Sequence, residues 1–345
     1  MASVQRSKLL DQLRGLAILA VLLRHAWPEL LPQAGVVGVV TFFTLSGYLI
    51  TGLLVDEIRS TRRVNLRWFY VKRAIRLLPA LLAFLAVWMT ASILGGTEVA
   101  AVFKSTLIAI AYVANLPLGI EPSLGHLWTL STEEQFYLLW PLILVAATAS
   151  KKVGAALGFL AVASVALIFA SAQVAPRIEA IYFLPTSWAL CLLIGGAASI
   201  FRDHLHFLKT IRKFWILALY LAVFVACWII PVSKSDLAMY LLVGPGVACV
   251  TAAFLVWAGN SGVTSLSVPG LLPLGTISYA AYLWNYPVSK ISVEMFGAVL
   301  GPIIGILATV ALAAASWFLI EKPANKLRQT LSARFQNHGA PALEA

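Results

Sequence analysis

The chain has 345 residues, of which 61 % are hydrophobic and 11 % charged, and its mean hydropathy is +0.89. That composition excludes an ordinary water-soluble globule and predicts an all-α polytopic membrane protein with a bundle of transmembrane helices. The formal net charge of +11 does not point to nucleic acid, because in such a chain the surplus Lys and Arg belong to cytoplasmic loops.

Eleven apolar stretches are candidates for spans: residues 9–28, 35–55, 77–95, 100–117, 132–149, 153–172, 181–200, 213–231, 238–258, 271–289 and 297–320. No soluble domain's worth of polar sequence separates them, so one membrane-embedded domain over residues 1–327 and a basic cytoplasmic tail over 328–345 are expected. The first stretch is not a cleavable signal peptide, since Arg14 interrupts it and no small-residue cleavage site follows. It carries Asp11, Arg14, Arg24 and His25, and ionisable groups inside a span mark a functional site by default. Arg14 and His25 are eleven residues apart, which places them within about 20° on one helix face and ~16 Å apart along the axis. The structural alternative is that Arg14 snorkels to a headgroup while His25 sits where Pro28 ends the helix.

The second stretch holds Gly35, Gly38, Ser46, Gly47 and Gly52, which close helix packing explains without chemistry. Between it and the third stretch lie Arg59, Arg62, Arg63, Arg67, Lys72, Arg73 and Arg76. This strong positive-inside signal fixes the loop, and with it the N-terminus, in the cytoplasm. Its arginines hold either lipid phosphates or the phosphates of a cytoplasmic ligand. Lys151 and Lys152, the 202–213 loop and the tail from Lys322 are also basic. Only two crossings fit between Arg76 and Lys151, so residues 100–117, short and carrying Lys104, are expected to be re-entrant or interfacial. Ten spans remain, with both termini cytoplasmic.

Residues 125–141 read GHLWTLSTEEQFYLLWP. Ser131 followed by Glu134 has capping-box spacing and predicts a helix start there, with Glu133 and Glu134 in its first turn. The topology puts this mouth on the extracytoplasmic side, at the depth of His25, so an imidazole and a carboxylate are available for acid–base work. Cys191, Cys227 and Cys249 lie in apolar stretches without metal-ligand spacing and are expected as buried small hydrophobes, with no metal centre. In the ninth span, Tyr279, Tyr282 and Tyr286 recur at helical spacing. The last helix stops at Ile320-Glu321-Lys322-Pro323.

LDQLRGLAILAVLLRH, FFTLSGYLI, FYVKRAIRLLPA, GHLWTLSTEEQFYLLWP, ISYAAYLWNYP and IEKPANKL follow one another between residues 9 and 327. In that order they resemble the integral-membrane acyltransferase family 3, which O-acylates extracytoplasmic glycans and some small molecules. The resemblance implies an acyltransferase, an O-acetyltransferase of a bacterial inner membrane. Its donor is acetyl-CoA or another acyl-CoA taken from the cytoplasm, and its acceptor a hydroxyl of a glycan or glycolipid. His25 and Arg14 match the family's essential pair, Arg73 and Arg76 its basic cytoplasmic motif, and Glu133 and Glu134 its acidic motif. His25 is then a general base or a transient acyl carrier, and Glu133 or Glu134 orients the imidazole or binds the acceptor. Arg14, Arg73 and Arg76 bind the donor, and Trp128, Ser131, Tyr279, Tyr282 and Asn285 are expected around the acceptor or supporting the residues that touch it. Asn285 departs from the family, which has His before the ninth-span proline. Asn hydrogen-bonds but does not titrate near neutral pH, which speaks against proton transfer at that position. The competing class is a transporter or flippase with an ionisable path, against which no paired broken helices or internal repeat stand out in the sequence.

Overall fold

A computed structural model describes residues 8–229, 233–261 and 268–338, and every regular element among them is helical. In chain order these are α1 (Lys8–Ala26), α2 (Ala34–Thr61), α3 (Leu66–Leu94), α4 (Val99–Ile110), α5 (Trp128–Ala149), α6 (Val153–Val174), α7 (Pro185–Ile200), α8 (Lys213–Ile229), α9 (Gly244–Asn260), α10 (Leu271–Thr276), α11 (Ser278–Ser316) and α12 (Lys322–His338). Five stretches are long and apolar enough to cross a bilayer: Ala34–Thr61, Leu66–Leu94, Val153–Val174, Met239–Asn260 and Ser278–Ser332. The expected residues 230–231 of the 213–231 stretch and the tail beyond His338 lie outside the described residues.

The longest of the five folds back on itself. Gly297 has φ 76° and ψ 178° inside α11, a conformation open essentially to glycine alone. Just beyond it, a Cβ on Gly301 would meet the Val293 Cα at 2.5 Å, and one on Gly305 the Ser289 Cα at 3.2 Å. The two halves of α11 therefore pack backbone to backbone as a tight hairpin, with the break at the first residue of the expected 297–320 stretch. α4 has 12 residues, about 18 Å of helix against a hydrocarbon core of roughly 30 Å. It is too short to cross, as residues 100–117 are expected to be.

The centre is built on small residues. Gly47 lies against the Leu192 carbonyl and Gly195 against the Thr44 carbonyl, which lets α2 and α7 approach closely, while Gly275 lies against the backbone of Asp11 and joins α10 to α1. The packing explanation thus holds for Gly38 and Gly47, both against backbone of a neighbouring helix. Ser46 instead donates a hydrogen bond to Glu133 Oε1 at 3.1 Å.

Two local expectations are corrected. The capping box at Ser131 does not form: α5 begins at Trp128 with Leu127 as its N-cap. Ser131 Oγ instead donates back to the Leu127 carbonyl (3.2 Å) and accepts from the Ala114 amide (3.0 Å), tying the chain after α4 to α5. The preceding 3-10 turn, Pro122–Leu127, already supplies the helix start, so no side-chain cap is required. Cys191 is buried as expected, but Cys249 is exposed. At the end carrying the basic loops, Arg202 pairs with Asp56 (2.6 Å) and Arg59 with Asp203 (3.2 Å), so the 56–76 and 201–212 loops lie side by side.

Candidate functional site

Two cavities open within the bundle, and α1, α2, α5 and α11 contribute to both. The first, about 280 Å³, is lined by Arg14, Arg73, Arg76, Glu133, Glu134 and Tyr279 among others. Arg73 Nη2 donates to Glu134 Oε1 at 2.5 Å, and its guanidinium lies 3.5 Å from the centre of the Tyr137 ring. Charge and ring stacking together favour Arg over Lys at such a position. Glu133 accepts from Ser46 Oγ (3.1 Å) and from the Tyr137 hydroxyl (3.4 Å). Arg14 Nη1 reaches Asp11 Oδ1 at 3.4 Å, and Tyr279 donates to the Leu77 carbonyl at 3.1 Å. This arginine cavity also receives Asn325 and Arg328 from α12, a helix that runs through residues 327 and 328 without a break.

The second cavity, about 940 Å³, is lined by His25, His126, Trp128, Tyr282, Tyr286 and Lys234 among others. His25 Nδ1 is hydrogen-bonded to Asn285 Oδ1. Asn285 is fully buried, and its amide nitrogen donates to Ser289 Oγ at 3.0 Å. With the Asn285 nitrogen committed to Ser289, the atom facing His25 is an acceptor, so Nδ1 carries the proton and Nε2 keeps its lone pair. That is the tautomer a general base needs. Asn285 accordingly orients His25, a task that requires an oxygen rather than a titrating ring.

His126 went unassigned in the sequence, although it stands in the quoted GHLW stretch. Its Nε2 donates to the Leu283 carbonyl at 3.1 Å. Its ring lies 5.4 Å from that of Tyr286, whose other neighbour is the His25 ring at 5.2 Å. In its 3-10 turn, burial pushes the His126 pKa down to about 3, so the ring is a neutral wall. The signal available was a second histidine at the mouth where His25 was already expected.

The expected pairing of His25 with Glu133 and Glu134 is corrected. Along α5, Trp128 lines the histidine cavity, whereas Glu133 and Glu134, one to two turns on, line the arginine cavity. The carboxylates are drawn there by Arg73 and by the Ser46 hydroxyl. Six of the predicted residues, Arg14, Arg73, Arg76, Glu133, Glu134 and Tyr279, thus meet in one place, Tyr279 away from His25, and His25 and Asn285 meet in another. Ser131 lines neither, and Trp128 doubles as core, packed on Phe43, Tyr182 and Trp188.

Tyr282 and Val39 line both cavities. The Tyr282 hydroxyl accepts from Thr129 Oγ1 (2.6 Å) and donates to the His126 carbonyl (2.7 Å). It forms a hydrogen-bonded partition between the two spaces. Among the described residues, no group of three His, Cys, Asp or Glu side chains is placed to hold a metal ion.

Comparison with known proteins gives a consistent picture. The acyltransferase domain of family 3 matches residues 8–322. The O-acetyltransferase OatA of Staphylococcus aureus strain NCTC 8325 is 30% identical over 345 residues, covering 92% of this chain and 57% of that protein. OatA of strain MRSA252 matches to the same extent. The chain therefore spans little more than half the length of these relatives. No solved structure matches it.

Proposed function

Because the chain belongs to acyltransferase family 3, we propose that it is a membrane O-acetyltransferase which takes an acetyl group from acetyl-CoA at the cytoplasmic face and delivers it to a hydroxyl of an extracytoplasmic glycan or glycolipid, within a bacterial inner membrane. The observation that carries this reading is the separation of chemistries. An arginine-lined cavity shares the end of α3 that bears the basic loop, and a histidine in base tautomer lines a second cavity beyond Tyr282. Positive-inside charge supports a cytoplasmic arginine end, within a scheme of ten spans and both termini inside.

In this scheme Arg76 and Arg14 meet the anionic and polar parts of the donor, and Arg73 is held for the same cavity by Glu134. The acceptor hydroxyl gives its proton to His25 Nε2 as its oxygen attacks the thioester carbonyl. The C–S bond breaks, the ester forms, and the CoA thiolate takes the proton from His25 as it leaves. Glu133 and Glu134 serve the donor side, because they line the arginine cavity rather than the one that holds His25.

The test uses purified protein in sealed proteoliposomes with labelled acetyl-CoA and a panel of hydroxylated sugars. Release of CoA with label on the sugar is expected, and His25→Ala should lower turnover by about 10²-fold to 10⁴-fold, the usual worth of a general base. Movement of a sugar or donor across the bilayer with no ester formed would favour the transporter reading instead.

A further inference from the structure

The histidine cavity carries a charge arrangement that acyl transfer to a neutral hydroxyl does not use. Arg24 and Lys234 both line it, and both lie near enough to act electrostatically on His25. They come from unrelated parts of the chain, the last turn of α1 and the loop before α9. Arg24 Nε donates to the Pro32 carbonyl at 2.9 Å, which fixes the guanidinium and leaves both Nη groups available. Its stem lies over Gly35, where an added Cβ would meet Arg24 Cγ at 2.8 Å. A side chain at position 35 would displace it. Lys234 Nζ lies 3.9 Å from the centre of the Tyr182 ring, and its pKa is lowered by burial and by Arg24.

The charge acting on this half-buried lysine is therefore another cation. Glu29 and Glu294 also line the cavity, together with Lys290, but all three are exposed at its rim. The inner wall is positive. The C-terminal end of α1 favours a cation at Arg24 through the helix dipole, but that dipole does not explain Lys234, which another element brings in. Two partly desolvated like charges beside one imidazole are unfavourable until an anion lies between them.

We propose that the histidine cavity selects an acidic acceptor, a glycan or glycolipid whose carboxylate or phosphate lies between Arg24 and Lys234 while a hydroxyl of the same molecule reaches His25 Nε2. This rests on the acyl-transfer reading above. A volume of about 940 Å³ holds a ligand of disaccharide size with its charged group, and charge-assisted hydrogen bonds from Arg suit both oxyanions.

The experiment measures binding without donor. Wild-type protein in nanodiscs is titrated with a fluorescent glucoside, the matched glucuronoside and a short-chain prenyl-phosphate glucoside. At least one anionic probe should bind at least about 10-fold tighter than the neutral one, equivalent to about 1.4 kcal/mol. The two anionic probes distinguish a sugar carboxylate from a lipid phosphate. Arg24→Gln and Lys234→Gln should each bring the ratio toward unity, while the charge-retaining Arg24→Lys and Lys234→Arg keep most of it. Equal affinity for all three probes, no binding of any, or a preference that survives both Gln substitutions overturns the proposal. Acetyl-CoA turnover is read separately. Anion preference without turnover overturns the acyl-transfer reading, and turnover to a neutral sugar with no anion preference overturns this one.

Discussion

Asn285 shows how one side chain can change its task and keep its place. A histidine there would offer a second titrating ring. Asn offers an oxygen that holds His25 Nδ1–H, with its own nitrogen anchored on Ser289. Asn285→Ala removes that acceptor and frees the imidazole to flip and to change tautomer. The expected result is a kcat lowered by about 10-fold to 100-fold, less than the roughly 10²-fold to 10⁴-fold worth of the base itself, with KM for acetyl-CoA nearly unchanged because the arginine cavity is untouched. A parallel rise in KM would show that Asn285 acts through the fold of α11 instead. At this scale the sequence was informative about residue types and weaker about their neighbours. Arg14, His25, Arg73, Glu133 and Glu134 stand out as charges in apolar surroundings, but nothing in their spacing says that Glu134 meets Arg73 rather than His25. That contact joins residues 61 apart in sequence and depends on how α3 packs beside α5.

Helix existence was legible from hydropathy, whereas helix ends are set by local backbone chemistry that hydropathy does not report. Asn65 caps α3 by accepting from the Trp68 amide at 2.9 Å. Gly297 turns α11 back at the first residue of the last apolar stretch. The Ser131 signature misled because a 3-10 turn already delivers the chain into α5, so the serine is released to bind Ala114. The hairpin yields a discriminating pair of substitutions. At Gly297 an added Cβ meets nothing within 4 Å, so the cost of Gly297→Ala is purely conformational, about 1–3 kcal/mol. At Gly301 the same substitution drives a methyl into the Val293 backbone and acts by steric overlap. Both variants should melt below wild type. Shortening the side chain of Val293 should rescue neither, since the Gly301 clash is with main chain and Gly297 has no clash to relieve.

Over the whole molecule, two adjoining cavities of different chemistry share α1, α2, α5 and α11, and the ~16 Å along α1 between Arg14 and His25 leads from the lining of one into the lining of the other. In the proposed reaction the thioester meets the acceptor where the two spaces adjoin at Tyr282, and the narrowness of this junction limits the water that reaches it from the larger space. Tyr282 maintains it: its hydroxyl bridges Thr129 and the His126 carbonyl, and its ring faces both sides. Tyr282→Phe keeps the ring but loses the bridge, whereas Tyr282→Ala removes the partition. With the partition gone, water from the histidine cavity reaches the thioester carbonyl, its oxygen replaces sulfur on the acetyl group, and acetate and CoA are released without acceptor. Acceptor-independent CoA release is therefore expected to rise several-fold in Tyr282→Ala, with Tyr282→Phe between it and wild type, while ester formation falls in the same order. Each is measurable in one assay by following free thiol and labelled sugar together. If both fall in parallel and acetate never exceeds the wild-type level, Tyr282 supports the packing of α11 and the barrier to water lies elsewhere.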